Sequence, residues 1–444
     1  MIDNKHKHRF AYHFTCIENL KDIITNGLLS TNLKDSKGIT HENIANTDIQ
    51  NRRSTMKINC GPKGVVHDYV PFYFTKRSPM LLGVVKKKNV DQESIIYLAV
   101  PIKYIENESV IFTNASANTN TAPKFYDNPS NLDELNWEVI DNWVWNPKNE
   151  SLRQQKMAEL LIHNEIKIEK IAHIITWDED KKREVDLLLK ENDIDGIDVI
   201  CDINSFKNHY FHNFDESGRV NITSGPKVLL KETMRCINYI LQNKSSNTLY
   251  PSLEAALAAI NVNFSCIKEL KEIEGLETDN TLHREDVGAH SRRVANNVLN
   301  GKGFCNYSER NKNILTLAAF LHDIGKGPKS RWRDGIQKVD DTHPIKSLPM
   351  LKRILCEDIG GLTSKEIRQI VMLVVYDDLV GDIVGRGRSE EQMKNIIKCK
   401  TDIDMLISIA RADMKALNIF WVISHDNSIE QLRLRMYNFL EGEL

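Results

Sequence analysis

No stretch of this 444-residue chain approaches the roughly 20 consecutive apolar residues that a membrane-crossing helix needs. Its opening, MIDNKHKHRF, lacks the apolar run of a secretory signal, so a cytoplasmic protein without a membrane partner is expected. The eight cysteines include no C-x-x-C pair, which argues against a zinc knuckle or a disulfide framework and leaves reduced thiols. A charge excess is also missing. With 59 basic residues against 61 acidic ones, the field of the whole molecule does not recruit nucleic acid, and such a partner has to meet a local basic patch. Arg52-Arg53, Lys76-Arg77, Lys86-Lys87-Lys88 and Lys181-Lys182-Arg183 are the candidates, each of which reads first as a solvated face. No internal repeat is visible, which excludes a solenoid.

What is present is the composition of a globular protein, 41% hydrophobic and 27% charged, on a chain longer than one core usually organises. From about Phe10 to Phe214 short β-like runs alternate with helices and polar loops, an α+β pattern. Strands are expected at Phe10–Thr15, Val70–Phe74, Ser94–Val100 and Ile171–Trp177, and helices at Ile17–Asn26, stopped by Gly27, and at Leu152–Ile162. Thr113–Pro129, rich in Asn, Thr and Ala, has no hydrophobic period and is expected to be a mobile loop. From Val228 onward the pattern becomes all-helical. The expected organisation is therefore an α+β domain over 1–215, a helical connector over 216–269 and an all-α domain over 270–444.

In the second half, L-A-A-F-L-H-D-I-G-K-G (Leu317–Gly327) is an apolar helix that presents His322 and Asp323 in its final turn. His290 lies in a helix beginning near Asp286, and Asp413 lies in the helical run A-R-A-D-M-K-A. Imidazoles and carboxylates from three helices suit divalent Mn, Fe, Mg, Ni or Zn and leave positions open for water and a phosphoryl oxygen, the requirements of metal-assisted phosphate ester hydrolysis. Lys326, one turn past His322, could hold a second phosphate oxygen. The order His290, His322-Asp323, Asp413, over about Thr281 to Lys415, resembles the HD superfamily of phosphohydrolases. Some members carry two further histidines for a second metal. His343 fits one, but Asp377 and Asp378 stand where the other is expected. A single-ion site is the plain expectation, and a second ion through His343 and Asp377 stays open.

The first half contains Y-H-F-T (Tyr12–Thr15), I-Q-N-R-R (Ile49–Arg53), H-D-Y-V-P-F-Y-F-T-K-R-S-P-M-L (His67–Leu81) and R-Q-Q-K-M-A-E-L-L-I (Arg153–Ile162). The last sets Glu159 among apolar neighbours, where a carboxylate needs a partner or a role. An early His, an Arg pair and a late semi-buried Glu suit a cationic, ribose-bearing ligand, although a salt-bridged Glu159 and a core His13 would explain the same pattern. The Y-V-P-F-Y-F-x-x-R-S-P-M-L block, with the preceding R-R and the later A-E-L-L, resembles the DarT family of DNA ADP-ribosyltransferases over about Phe10 to Phe214.

That resemblance implies NAD as ADP-ribose donor and a base in single-stranded DNA, or another nucleic acid, as acceptor. By the same resemblance Glu159 is the catalytic glutamate and Arg53 or its neighbour Arg52 the essential arginine. His13, Thr15 and Asn19 line the NAD pocket, with Tyr73 and Arg77 nearby. Tyr126, Trp137, Trp143 and Trp145 offer faces on which a base could stack. The expected protein is a NAD-dependent nucleic-acid ADP-ribosyltransferase fused to a metal-dependent phosphohydrolase of a nucleotide or other phosphate ester, in the role of a toxin or anti-phage effector. The competing expectation is an HD phosphohydrolase whose N-terminal half is a catalytically silent module that binds nucleic acid or NAD.

Overall fold

The computed structural model describes residues 2–41, 47–118, 122–144, 146–201, 209–214, 218–279 and 285–442. Trp145, Thr281 and residues 202–208 lie outside them, as does part of the Thr113–Pro129 stretch. The chain divides into two compact units, Met1–Ile222 and Thr223–Leu444.

The first unit is built on an eight-stranded sheet. Its strands are β1 (Phe10–Cys16), β2 (Tyr69–Tyr73), β3 (Ile95–Pro101), β4 (Val110–Thr113), β5 (Phe125–Tyr126), β6 (Glu159–His163), β7 (His173–Thr176) and β8 (Asp198–Cys201). They lie in the order β8-β7-β3-β1-β2-β6-β4-β5. Every pair is antiparallel except β7 with β8. That parallel pair needs a crossover, which is supplied by a helix over Glu179–Glu191. Strand β3 is central and covered on both faces, which is why I-I-Y-L-A-V-P is a continuous apolar run. Ile96, Leu98 and Val100 enter one core and Ile95 and Tyr97 the opposite one. Complete burial of each such aliphatic side chain contributes roughly 1.5–3 kcal/mol.

The segment around Glu159 departs from the expected helix over Leu152–Ile162. A helix over Glu150–Lys156 ends early, Met157 leaves the helical region, and Glu159–His163 runs as a strand between β2 and β4. Lys156 marks the stop. Its ammonium is fully buried and donates to the carbonyls of Val139, Ile140 and Asn142 at 3.1, 3.2 and 2.8 Å. Strand pairing on both sides of E-L-L-I outweighs the local helical spacing of its leucines.

The second unit is helical. We number its helices α1 (Pro226–Asn243), α2 (Leu253–Val262), α3 (Lys268–Ile273), α4 (Val287–Leu299), α5 (Glu309–Leu321), α6 (His343–Arg353), α7 (Ser364–Val375), α8 (Leu379–Arg386), α9 (Glu391–Lys394), α10 (Lys400–Leu417) and α11 (Ile419–Glu441). Helix α1 buries Leu229, Thr233, Cys236, Ile237 and Ile240, one stripe at helical spacing, in the same core as α4, α5, α7 and α10. Among the described residues no helix is long and apolar enough to cross a membrane.

The glycine of the I-G-K turn has a structural reason. Helix α5 ends at Leu321, and a tight turn over Ile324–Lys326 then runs against the start of α6. A Cβ on Gly325 would overlap the His343 carbonyl oxygen and the Ser347 side chain. The absent side chain lets the H-D turn approach the backbone that carries His343. Gly325→Ala is expected to destabilise the helical unit by at least ~1–3 kcal/mol. Calorimetry would register a lower melting transition for that unit, with the sheet unit's transition unmoved. An unchanged thermogram would contradict the close approach.

Candidate functional sites in the two units

Glu159 opens β6 directly opposite Tyr73 of β2. Its side chain has no solvent exposure, so its charge must be met inside the protein. The Arg53 guanidinium meets it. Nη1 donates to both carboxylate oxygens at 3.0 Å and Nη2 donates to Oε2 at 3.0 Å. The Ala117 amide donates to Oε1 at 2.9 Å, and the Glu159 amide donates to Thr113 Oγ1 at 3.0 Å. Arg53 is itself only 6% exposed, so the pair forms a desolvated fork in which each partner depends on the other.

Arg53 and Tyr73 line a cavity of about 460 Å³ together with His13, Thr15 and Asn19. That volume falls within the ~300–1,000 Å³ of small-molecule pockets. His13 Nδ1 donates to the Pro71 carbonyl at 2.8 Å, which leaves the lone pair on Nε2. Burial pushes His13 down to about 4, against the Pro71 carbonyl and with the help of the Arg53 charge, so its ring is neutral at pH 7. Asn19 Nδ2 donates to Thr15 Oγ1 at 3.1 Å. Burial and the Glu159 carboxylate raise the Tyr73 hydroxyl, which stays protonated.

Two arginines from the sequence reading stand elsewhere. Arg52 Nε donates to the Asn118 carbonyl at 2.9 Å, since side chains adjacent on a helix diverge by about 100 degrees. Arg77 donates to the His209 carbonyl at 2.9 Å and stacks on Trp143 at 3.9 Å. Among the aromatics proposed for base stacking, Tyr126 lies against Phe112 and Trp137 packs on Phe74 and Arg9. Trp143 is 45% exposed. Sequence reasoning missed Gln50 and His67, which line the same cavity. Gln50 sits one turn before Arg53, and His67 immediately precedes the Y-V-P-F-Y-F run, so the spacing held a signal for both.

In the helical unit, Asp286 caps α4 by accepting from the Ala289 amide at 2.9 Å, and His290 follows on the buried face. His290 Nε2 lies 2.8 Å from Asp413 Oδ1 and 3.9 Å from Asp323 Oδ2. His322 Nε2 lies 3.4 Å from Asp323 Oδ2 and 3.8 Å from Asp413 Oδ1. These four side chains converge from α4, the end of α5 and α10. On the other side of Asp323, His343 Nε2 is 4.0 Å from its Oδ1 and 3.9 Å from Asp377 Oδ2.

The donor set fits a divalent metal. His322 Nδ1 donates to the Ala319 carbonyl at 2.9 Å and His343 Nδ1 to the Asp340 carbonyl at 3.0 Å, so both rings aim a bare Nε2 inward. Neither Nε2 has a hydrogen-bond partner, and neither does Asp377 Oδ1, although all three are buried. Buried polar atoms without protein partners at an imidazole–carboxylate cluster are the arrangement that a divalent cation fits. Two groups have ligand atoms spaced for an ion, His290 with His322 and Asp323, and Asp323 with His343 and Asp377. Lys326 Nζ donates to Asp323 Oδ2 at 2.7 Å. Burial would raise the Asp323 carboxyl, but the Lys326 ammonium beside it holds it well below the usual range. Burial and Asp378 raise Asp377.

Comparison with known proteins gives two family matches. A model described as "ssDNA thymidine ADP-ribosyltransferase, DarT" matches residues 12–211, and an HD domain model matches residues 283–404. A DNA ADP-ribosyl transferase of Thermus sp. (strain 2.9) is 34% identical over 186 residues, which span 40% of this chain and 87% of that protein. One from Escherichia coli O127:H6 (strain E2348/69 / EPEC) is 26% identical over 163 residues, 34% of this chain and 73% of the other. The solved structure of Thermus sp. 2.9 DarT in complex with ADP-ribosylated ssDNA is 28% identical and covers 45% of this chain and 96% of that one, with a TM-score of 0.41.

The buried fork makes a direct prediction. Arg53→Ala leaves the Glu159 charge unpaired and is expected to cost ~3–5 kcal/mol of sheet-unit stability. The double change with Glu159→Ala should cost clearly less than the sum of the single ones in denaturant unfolding. Additive losses would mean that the two side chains do not depend on each other.

Proposed function

Because the chain belongs to the DarT family of single-stranded DNA thymidine ADP-ribosyltransferases and also carries an HD domain, we propose that its two units work as two enzymes. Residues 1–222 are the transferase domain, which moves ADP-ribose from NAD to thymidine in single-stranded DNA. Residues 223–444 are the hydrolase domain, which cleaves a phosphate ester with divalent metal. The observation that carries the first assignment is the buried Arg53–Glu159 fork beside a cavity of cofactor size.

In this reading the chain of events begins with orientation. Thr15, Asn19 and the neutral His13 imidazole line the NAD pocket, and Tyr73 closes its wall next to Glu159. Glu159 accepts hydrogen bonds from ribose hydroxyls and stabilises the positive charge that grows at the anomeric carbon as nicotinamide departs. Arg53 holds that carboxylate in place and supplies positive charge for a phosphate or for the base as it becomes an anion. Arg52 and Arg77 are bonded to the Asn118 and His209 carbonyls, and the role of the essential arginine is given to Arg53, which meets Glu159.

In the hydrolase domain His290, His322 and Asp323, with Asp413 beside them, would hold one ion, and Asp323, His343 and Asp377 would hold a second. The first set suits Mn, Fe, Ni or Zn, and the carboxylate-rich second suits Mn or Mg. When bound, such ions acidify water and neutralise phosphoryl charge. Lys326 keeps Asp323 ionised and stands ready to share its charge with a substrate phosphate oxygen. A transferase that marks DNA bases harms the cell that makes it. We therefore read the fusion as a toxin or anti-phage effector, with the hydrolase removing the mark or processing a nucleotide signal.

Purified protein given NAD and thymidine-containing single-stranded oligonucleotides is expected to add the mass of one ADP-ribose. Glu159→Ala should lower the rate by at least ~10²-fold, the scale of a lost electrostatic stabiliser. NAD binding without nicotinamide release would instead favour a silent binding module. For the other domain, elemental analysis after loading with Mn²⁺ should find two ions per chain, one in His343→Ala and none in Asp323→Ala. Two ions in Asp323→Ala would contradict the shared-ligand site.

A further inference from the structure

The transfer reaction leaves a proton to be placed. In a thymidine nucleoside the ring carries one N–H, at N3. Bonding N3 to the ribose carbon requires that this proton leave, and neither member of the Arg53–Glu159 fork is suited to take it. Arg53 is a permanent cation. Glu159 already accepts from Arg53 and from the Ala117 amide.

His67 lines the same cavity as Arg53 and Tyr73 and is 8% exposed. Its Nε2 donates to the Gln50 side-chain Oε1 at 3.0 Å, which fixes the tautomer and leaves the lone pair on Nδ1. Gln50 and Arg53 lie three residues apart on the helix over Thr47–Thr55, so the orienting group and the arginine share a face.

The turn that carries His67 is held from several sides. The Val66 amide donates to the Met56 carbonyl at 3.0 Å, just past that helix. Asp68 Oδ2 accepts from the Val65 amide at 2.8 Å and Oδ1 from Asn32 at 2.7 Å, and the Asp68 carbonyl accepts from the Asn164 amide at 2.8 Å. Gly64, at φ +94°, is required here because a Cβ would overlap Asp68 Oδ2.

We propose that His67 is a catalytic residue of the transfer step, its Nδ1 receiving the N3 proton of the thymine ring, with Gln50 as the positioning residue. This rests on the DNA-transferase reading above. The bond between the anomeric carbon and nicotinamide breaks and its electron pair leaves with nicotinamide. The N3 lone pair forms the new bond to that carbon. The proton passes to His67 Nδ1 and then to solvent. The charged groups around His67 are Arg53, Asp35, Asp68 and Lys34. Burial and Arg53 push the imidazole down, with the two carboxylates opposing, so it waits in the neutral, accepting form. His13, pushed down to about 4, is a weak proton acceptor.

The test compares the full chain with His67→Asn and Gln50→Leu on two oligonucleotides. One carries thymidine and the other 5-fluorodeoxyuridine, whose N3 proton is more acidic. NAD-induced thermal stabilisation verifies that each variant is folded and binds donor. His67→Asn is expected to slow transfer to thymidine by ~10²-fold or more while the loss on 5-fluorodeoxyuridine shrinks to within roughly tenfold. Gln50→Leu should show a smaller loss with the same rescue. Equal losses on both oligonucleotides, or no loss with thymidine, would overturn the assignment. Failure of the parent chain to modify either oligonucleotide would overturn the DNA reading itself.

Discussion

A carboxylate with no access to water keeps its charge only beside a cation, and the sheet unit is arranged to satisfy that requirement at Glu159. The strand that carries it is paired on both sides, which fixes the backbone. Arg53 arrives on a helix from earlier in the chain, and its planar fork matches the two oxygens. The Ala117 amide also donates to Oε1. The cavity, His13, His67 and Tyr73 lie beside this pair, and its charges add to burial in shifting all three side chains.

The helical unit meets the same physical problem with a different outcome. The Asp323 charge is met by the Lys326 ammonium. Yet two imidazole nitrogens and a carboxylate oxygen remain buried with nothing to bond. A closed ion pair is complete in itself, whereas this cluster is completed only by a cation. That difference separates a site suited to an organic ligand from one suited to metal.

Much of this was legible in the sequence for identifiable reasons. Strands β1, β2, β3 and β7 carry their signal in consecutive apolar or aromatic residues, because they are covered on one or both faces. His290 and Asp413 were visible because each sits in a periodic helix, and the H-D pair because it directly follows the apolar run that ends α5. Glu159 was expected on a helix, since A-E-L-L-I fits helical spacing and only the long-range pairing with Tyr69–Tyr73 reveals a strand. The choice between Arg52 and Arg53 could not be made from adjacent letters, because only the helix phase decides which one faces Glu159. The Ala117 amide was invisible, as backbone donors leave no trace in composition. Two of the aromatic faces offered for stacking, Tyr126 and Trp137, turned out to be packing contacts, which sequence cannot distinguish from exposed ones.

The central claim is that the Arg53–Glu159 fork marks where the reactive ribose sits, and the most direct measurement is an experimental structure of the full chain with an unreactive NAD analogue. The account predicts the nicotinamide ribose within hydrogen-bonding distance of Glu159 or Arg53, with the rest of the analogue in the cavity lined by His13, Thr15 and Asn19. An analogue bound elsewhere, with the fork intact and its cavity empty, would contradict it.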